Sequence, residues 1–291
     1  MRDYVIMTDS CCDLSAAEVA ESGLTVLPLT FTMDGVTRRD TPDHADMSPQ
    51  EFYRHIRAGV QCTTAAVNVG DFTDAMREVL EQGKDILCLC FSSALSTTYQ
   101  SACIAAKELR REFPDAKLIV IDTLAASRGQ GMLAWYAAKE KGKGRSIDEV
   151  ADWVREMAPH QDHWFTVADL KHLRRGGRLN ATSAIVGTVL SIKPVMHCDA
   201  DGKLTPVSKT RGMKQALTEL VNKMDELGNR PLTEQTVFIC HADAPESVAY
   251  VKELLNERFG VTDVRADYIG PVIGSHTGAG TLGLFFFGRE R

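Results

Sequence analysis

Three stretches of the chain share one arrangement of apolar and polar positions. YVIMTDSCCDL, ILCLCFSSALSTTYQSA and LIVIDTLAASRGQG each set an apolar run before small hydroxyl or acidic residues and then positions of helical period. Strand, turn and helix repeated in that order predict a parallel α/β sheet. Ser15 and Glu18 form a capping box for the first helix, and after Leu95 the positions Tyr99, Cys103, Ala106, Leu109 and Phe113 keep a helical period. LTVLPLTFTM, residues 24–33, reads as one further strand whose Pro28 predicts an edge position. Further helices are expected over Arg128–Lys141 and, capped by Ser146 and Glu149, up to Met157 before Pro159.

After residue 160 the pattern changes. HWFTV reads as a strand, ADLKHL as a short helix, RRGGRLN as a loop and SAIVGTVL as a helix. IKPVMHC and KLTPVSK are strands joined by the turn DADGK. A helix over Met213–Leu227, a strand at TVFICHA, a helix over Glu246–Phe259 and a strand at VRADYIG complete an α+β pattern. The expectation is a two-domain α/β protein: residues 1–160 with a Rossmann-like parallel sheet, residues 161–291 an α+β sheet domain, and a small-ligand crevice between them.

Composition adds limits. The chain has 291 residues, 44% of them hydrophobic and 25% charged, enough for large cores without staples. A formal net charge of −6 and the lack of any Lys/Arg run argue against nucleic acid or another polyanion as partner. MRDYVIMTDS enters a strand pattern directly, without the regions of a signal peptide, and no apolar run approaches the roughly 18 residues of a membrane span. The eight cysteines lack CxxC spacing. Together these predict a cytoplasmic protein with thiols rather than disulfides and no integral membrane segment, transient membrane contact staying open.

GAGTLG, Gly278 to Gly283, spells G-x-G-x-x-G, but only eight residues follow it. A dinucleotide fingerprint needs a helix, a second strand and an acidic residue about 20 positions on, so the motif reads instead as a tight glycine-rich loop. His276, flanked by Ser275, Thr277 and Gly278, is expected in that loop, either facing an anion such as a carboxylate or bonded to a backbone carbonyl. The densest hydroxyl cluster is Ser92, Ser93, Ser96, Thr97 and Thr98 after the strand Ile86–Phe91, at the carboxyl end of a strand where ligands bind. Thr8, Asp9 and Ser10 hold the equivalent place after the first strand, as do Asp122, Thr123 and Ser127 after the third. An α/β hydrolase acting on acyl esters, with Ser93 or Ser96 as nucleophile, His276 as base and Asp122 orienting it, is the alternative, although no G-x-S-x-G elbow is present. No metal is expected, because His160 and His163 lack a further ligand at metal spacing and read as part of a solvated connection.

The ordered set TDSCCDL, CTTAAVNVGDF, SSALSTTYQSA, IDTLAASRGQG, DLKHLRRGGRL, LSIKPV and IGPVIGSHTGAG resembles the DegV family of bacterial fatty-acid-binding proteins over essentially the whole length. The resemblance implies a single long-chain fatty acid, such as palmitate or oleate, in a tunnel between two domains, with its carboxylate held by hydroxyls. Matched by motif, the carboxylate residues are Thr64 with Thr63 adjacent, Ser96 with Ser93 nearby, and His276. Arg178 matches an arginine on the exposed face used by a partner, a separate fatty acid kinase that makes the acyl phosphate. The resemblance therefore implies a carrier with no catalytic residue and no cofactor of its own. Ala65, Ala66 and Val67 depart from the family's Ser-Gln-Pro, Thr97 stands where glycine is common, and Ala279 replaces a proline.

Overall fold

The computed structural model describes residues 2–179 and 191–289. In chain order the first elements are β1 (Tyr4–Asp9), α1 (Ala16–Ser22), β2 (Thr25–Leu27), β3 (Thr30–Met33), β4 (Val36–Arg39), α2 (Pro49–Arg57) and β5 (Cys62–Ala65). There follow α3 (Val69–Glu81), β6 (Asp85–Cys90), α4 (Thr98–Glu112), β7 (Leu118–Asp122), α5 (Arg128–Gly142) and α6 (Ile147–Met157). Beyond them lie β8 (Gln161–Thr166), α7 (Lys171–Arg175), β9 (Ile192–Cys198), β10 (Leu204–Arg211), α8 (Met213–Leu227) and β11 (Val237–His241). The last are α9 (Pro245–Phe259), β12 (Val264–Tyr268), α10 (Pro271–Thr277) and β13 (Leu282–Phe287).

The predicted parallel sheet is present, in the order β2-β1-β6-β7 with every pair parallel. A six-stranded sheet, β10-β9-β8-β13-β11-β12, is mixed: only β11 and β12 run parallel. Both capping boxes form, Ser15 with Glu18 and Ser146 with Glu149. α5 packs against strands of both large sheets and buries residues on all its faces, including Arg128, Gln130, Met132 and Trp135. That all-round burial is the mark of a helix inside a core rather than on a surface.

Three expectations are corrected. Residues 24–33 are not one strand: Pro28 interrupts them, so β2 ends the parallel sheet as an edge strand, while β3 is the central strand of a separate antiparallel sheet, β4-β3-β5. Proline cannot donate to a ladder, and here that missing donor marks where the chain leaves one sheet for another. His163 is not in a solvated connection; it is 4% exposed in β8, beside Phe285 at a ring separation of 4.6 Å. The glycine-rich stretch is not a loop carrying His276, because α10 contains that histidine and Leu282 begins β13, a strand inside the six-stranded sheet. The helix expected at SAIVGTVL lies outside the described residues.

Candidate functional site

A cavity of about 480 Å³ opens where the carboxyl ends of the parallel strands meet α10, α7 and β8, and its walls come from both sides of residue 160. Leu29, Phe91, Leu95, Ala126, Phe165, Leu173, Leu204, Ile269, Val272 and Ile273 make most of the wall apolar. This volume lies within the roughly 300–1,000 Å³ of small-molecule sites.

The polar groups around it fall into two sets. Several hydroxyls near the strand ends are committed to the fold: Thr8 Oγ1 donates to Leu89 O at 2.7 Å, Ser92 Oγ to Gly202 O at 2.8 Å and Thr123 Oγ1 to Cys90 O at 2.8 Å. Asp9 accepts from Phe91 N at 2.8 Å and Cys11 N at 3.1 Å. Such bonds satisfy buried polar groups and leave nothing for a ligand. Ser93, Ser96 and Thr64 instead line the cavity and are half-buried. Thr64 Oγ1 and His276 Nε2 are 2.9 Å apart, joining residues 212 positions apart in sequence. Ser96 Oγ lies 2.9 Å from Thr98 Oγ1 and accepts from Thr98 N at 3.2 Å, in the first turn of α4. The open N–H groups and positive dipole end of that helix favour an anion.

Thr63, expected beside Thr64, is exposed and does not line the cavity. The two are successive residues of β5, and side chains alternate between the faces of a strand. Arg178 differs from its expected exposed position: it is half-buried at the cavity wall, donating from Nε to Leu95 O at 3.2 Å and from Nη1 to Gly176 O at 2.5 Å. Burial pushes the His276 imidazole down to about 4, and the charges of Arg178 and Arg175 and the neighbouring His172 push the same way. His276 is therefore neutral near pH 7, in a positive field that suits a carboxylate. The ring sits against Gly176, where a Cβ would fall on its Nδ1; reciprocally, a Cβ on Gly278 would lie 2.5 Å from the His172 ring.

Among the described residues His276 Nδ1 is buried with no hydrogen-bond partner, so none of their carboxylates orients the ring as a catalytic triad requires. Asp122 is occupied elsewhere, accepting from Ser93 N at 3.2 Å and Leu124 N at 3.0 Å. The hydrolase arrangement is not favoured.

The described residues thus combine an α/β fold with an apolar-walled cavity whose mouth carries hydroxyls and an imidazole. The profile described as "Uncharacterised protein, DegV family" matches residues 3–289, and this chain belongs to the DegV family. It is 42% identical over 291 residues to a DegV domain-containing protein of Clostridium perfringens, covering 100% of this chain and 99% of that one. A solved structure described as showing fatty acid binding of a DegV family protein from Thermus thermophilus is similar at a TM-score of 0.86 and 30% identity, covering 99% of this chain and 100% of that one. A DegV lipid binding protein from Thermotoga maritima gives a TM-score of 0.85 at 29% identity, with 99% of each chain covered.

Cys240 also lines the cavity and was not among the expected site residues, and His163, expected in a solvated connection, lines it as well. His163 lies in β8, Gln161–Thr166, every residue of which is buried.

Proposed function

We propose that the cavity holds a single long-chain fatty acid, palmitate or oleate in type, with its carboxylate at Ser96, Ser93, Thr64 and His276 and its acyl chain toward Phe165 and Cys240. The observation that carries this reading is the distribution of polarity: Ser93, Ser96, Thr64 and His276 gather at the half-buried mouth, while the buried lining hydroxyls of Ser127, Thr277 and Thr281 are bonded within the protein among mostly apolar neighbours. Each buried methylene stabilises the complex by about 0.8 kcal/mol, so the chain supplies most of the affinity and the mouth needs only to satisfy the head group. Neutral hydroxyls, a neutral imidazole and the N-terminus of α4 do so without the cost of burying a paired cation.

On this reading the protein is a carrier rather than an enzyme, and a separate fatty acid kinase phosphorylates the presented carboxylate. Lys171, Arg174 and Arg175 are exposed in the segment that leads to Arg178, and the charges of Arg175 and Arg178 reach His276, a basic setting that suits a partner handling phosphate. The eight free cysteines fit work in the cytoplasm, and no helix among the described residues is long and apolar enough to cross a membrane. Native mass spectrometry of the purified protein, before and after incubation with palmitate and oleate, is expected to show one acid per chain. Absence of any bound acid under both conditions would sink the proposal.

A further inference from the structure

One buried part of the cavity wall is built on three neighbouring strands of the six-stranded sheet. Phe165 on β8, Gly283 on β13 and Cys240 on β11 stand opposite one another in a single cross-strand row. Two residues further along β13, on the same sheet face, the row is His163, Phe285 and Phe238, an unbroken line of rings. The first row is thus bulky, empty, small, and both of its flanking side chains line the cavity.

The space above Gly283 is taken by its neighbours. A Cβ there would lie 2.8 Å from Cys240 Sγ and 2.9 Å from Phe285 Cζ, so the thiol that lines the cavity is seated over the glycine, in the space a side chain would take. This region is deep: Cys240 and Ser127 are each 3% exposed, whereas Thr64, Ser96 and His276 at the mouth are half-buried. Burial pushes the Cys240 thiol up to about 12, with the Ser127 hydroxyl beside it acting the other way. The thiol is therefore protonated and behaves as a small apolar group.

We propose that Cys240, seated over Gly283, is the end stop that sets the length of acyl chain the cavity accepts. This rests on the fatty-acid reading above and assigns the specificity of that same site. A side chain at Gly283 would press on both Sγ and the Phe285 ring; with the ring held in the buried row, it is the sulfur that is lifted toward the ligand and shortens the channel, while removing the sulfur lengthens it.

The test offers the purified full chain an equimolar mixture of saturated acids from dodecanoate to eicosanoate and reads the distribution of bound acids by native mass spectrometry. Cys240→Ala is expected to move the preferred length up by about one to two methylenes, in line with the space one heavy side-chain atom vacates. Cys240→Leu is expected to move it down, and Gly283→Ala to move it down as well. The double variant Gly283→Ala/Cys240→Ala is expected to return toward the wild-type length, which a general loosening of the sheet would not produce. An unchanged length preference in both Cys240 variants, with acid still bound, overturns the assignment, as does a Gly283→Ala shift that Cys240→Ala leaves uncorrected. A wild-type protein that takes up no acid overturns the fatty-acid reading itself, a result distinct from an unmoved optimum.

Discussion

At the start of α10, Asp13 accepts from Gly270 N at 2.9 Å and Asp40 from Val272 N at 3.3 Å, and both carboxyls are buried. At the other end of the same helix, His276 meets Thr64 at 2.9 Å, and its second nitrogen has no partner among the described residues. At the acidic end Ser127 donates to Asp13, and the helix N-terminus is held by two carboxyls that are not part of the cavity lining. The imidazole end is open to a ligand and only partly satisfied. Buried polar groups with full complements of bonds fix a structure, and those with spare capacity are available for recognition. The wall of the cavity is thus anchored at one end so that the other can be precise.

Breaking the acidic end is expected to have the largest effect. Asp13→Ala strands the Gly270 N–H and the Ser127 hydroxyl in a buried site, and a loss of about 2–4 kcal/mol is expected in urea unfolding. A loss under about 1 kcal/mol would show that the clamp is not structural.

The second expectation concerns pH. Burial pushes Asp13 up to about 7 against the hydrogen bonds from Ser127 and Gly270, Asp9 up to about 6, and Asp40 well above its usual range, with the Asp13 charge adding to it. The folded state then holds protons that the unfolded chain releases near 3.8. Stability from these groups is fully present below that value and is lost as pH rises toward about 6 for Asp9 and about 7 for Asp13. The melting temperature is therefore expected to fall between about pH 5 and 7, and Asp40→Asn, which keeps an acceptor for Val272 N, to flatten that fall. An identical slope in the variant would remove Asp40 from the titrating set.

The open end should respond in affinity rather than stability. Thr64→Val and Ser96→Ala are each expected to weaken acid binding about tenfold, one hydrogen bond to a charged group, with melting of the ligand-free protein nearly unchanged. Isothermal titration with a defatted sample checks this, and comparable losses of stability would erase the distinction between the two ends. Smallest of all is Thr63→Ala, whose side chain faces away from the cavity: no measurable change in affinity is expected by the same titration.

Much of this fold was readable from periodicity because its helices announce their ends. Ser15 with Glu18, Ser146 with Glu149 and the span Met213–Leu227 all stand where local pattern placed them. β3 and β13 were not legible in the same way. The proline inside residues 24–33 signals a disturbance but cannot say that two sheets meet there, and two glycines ahead of LGLFFF hide a central strand behind a loop-like opening. α2 carried an available signal, Ser48 before Pro49 with Glu51 in the first turn. The pairing of Thr64 with His276 spans 212 residues, so no local pattern contains it. Only a set of separated motifs, read together, pointed to both residues. Cys240 reads in sequence as one more apolar residue of a buried strand, and its position at the cavity follows only from the register with Gly283.

The two histidine–glycine contacts between α7 and α10 make a mechanical joint. Each ring is socketed in the other segment's missing side chain, His276 at Gly176 and His172 at Gly278. Sliding or rotating either segment alone would unseat both rings at once, so the pair behaves as meshed teeth. The imidazole at the mouth is consequently indexed to the turn that carries Arg175 and Arg178, and the histidine and those two arginines keep a common frame of reference.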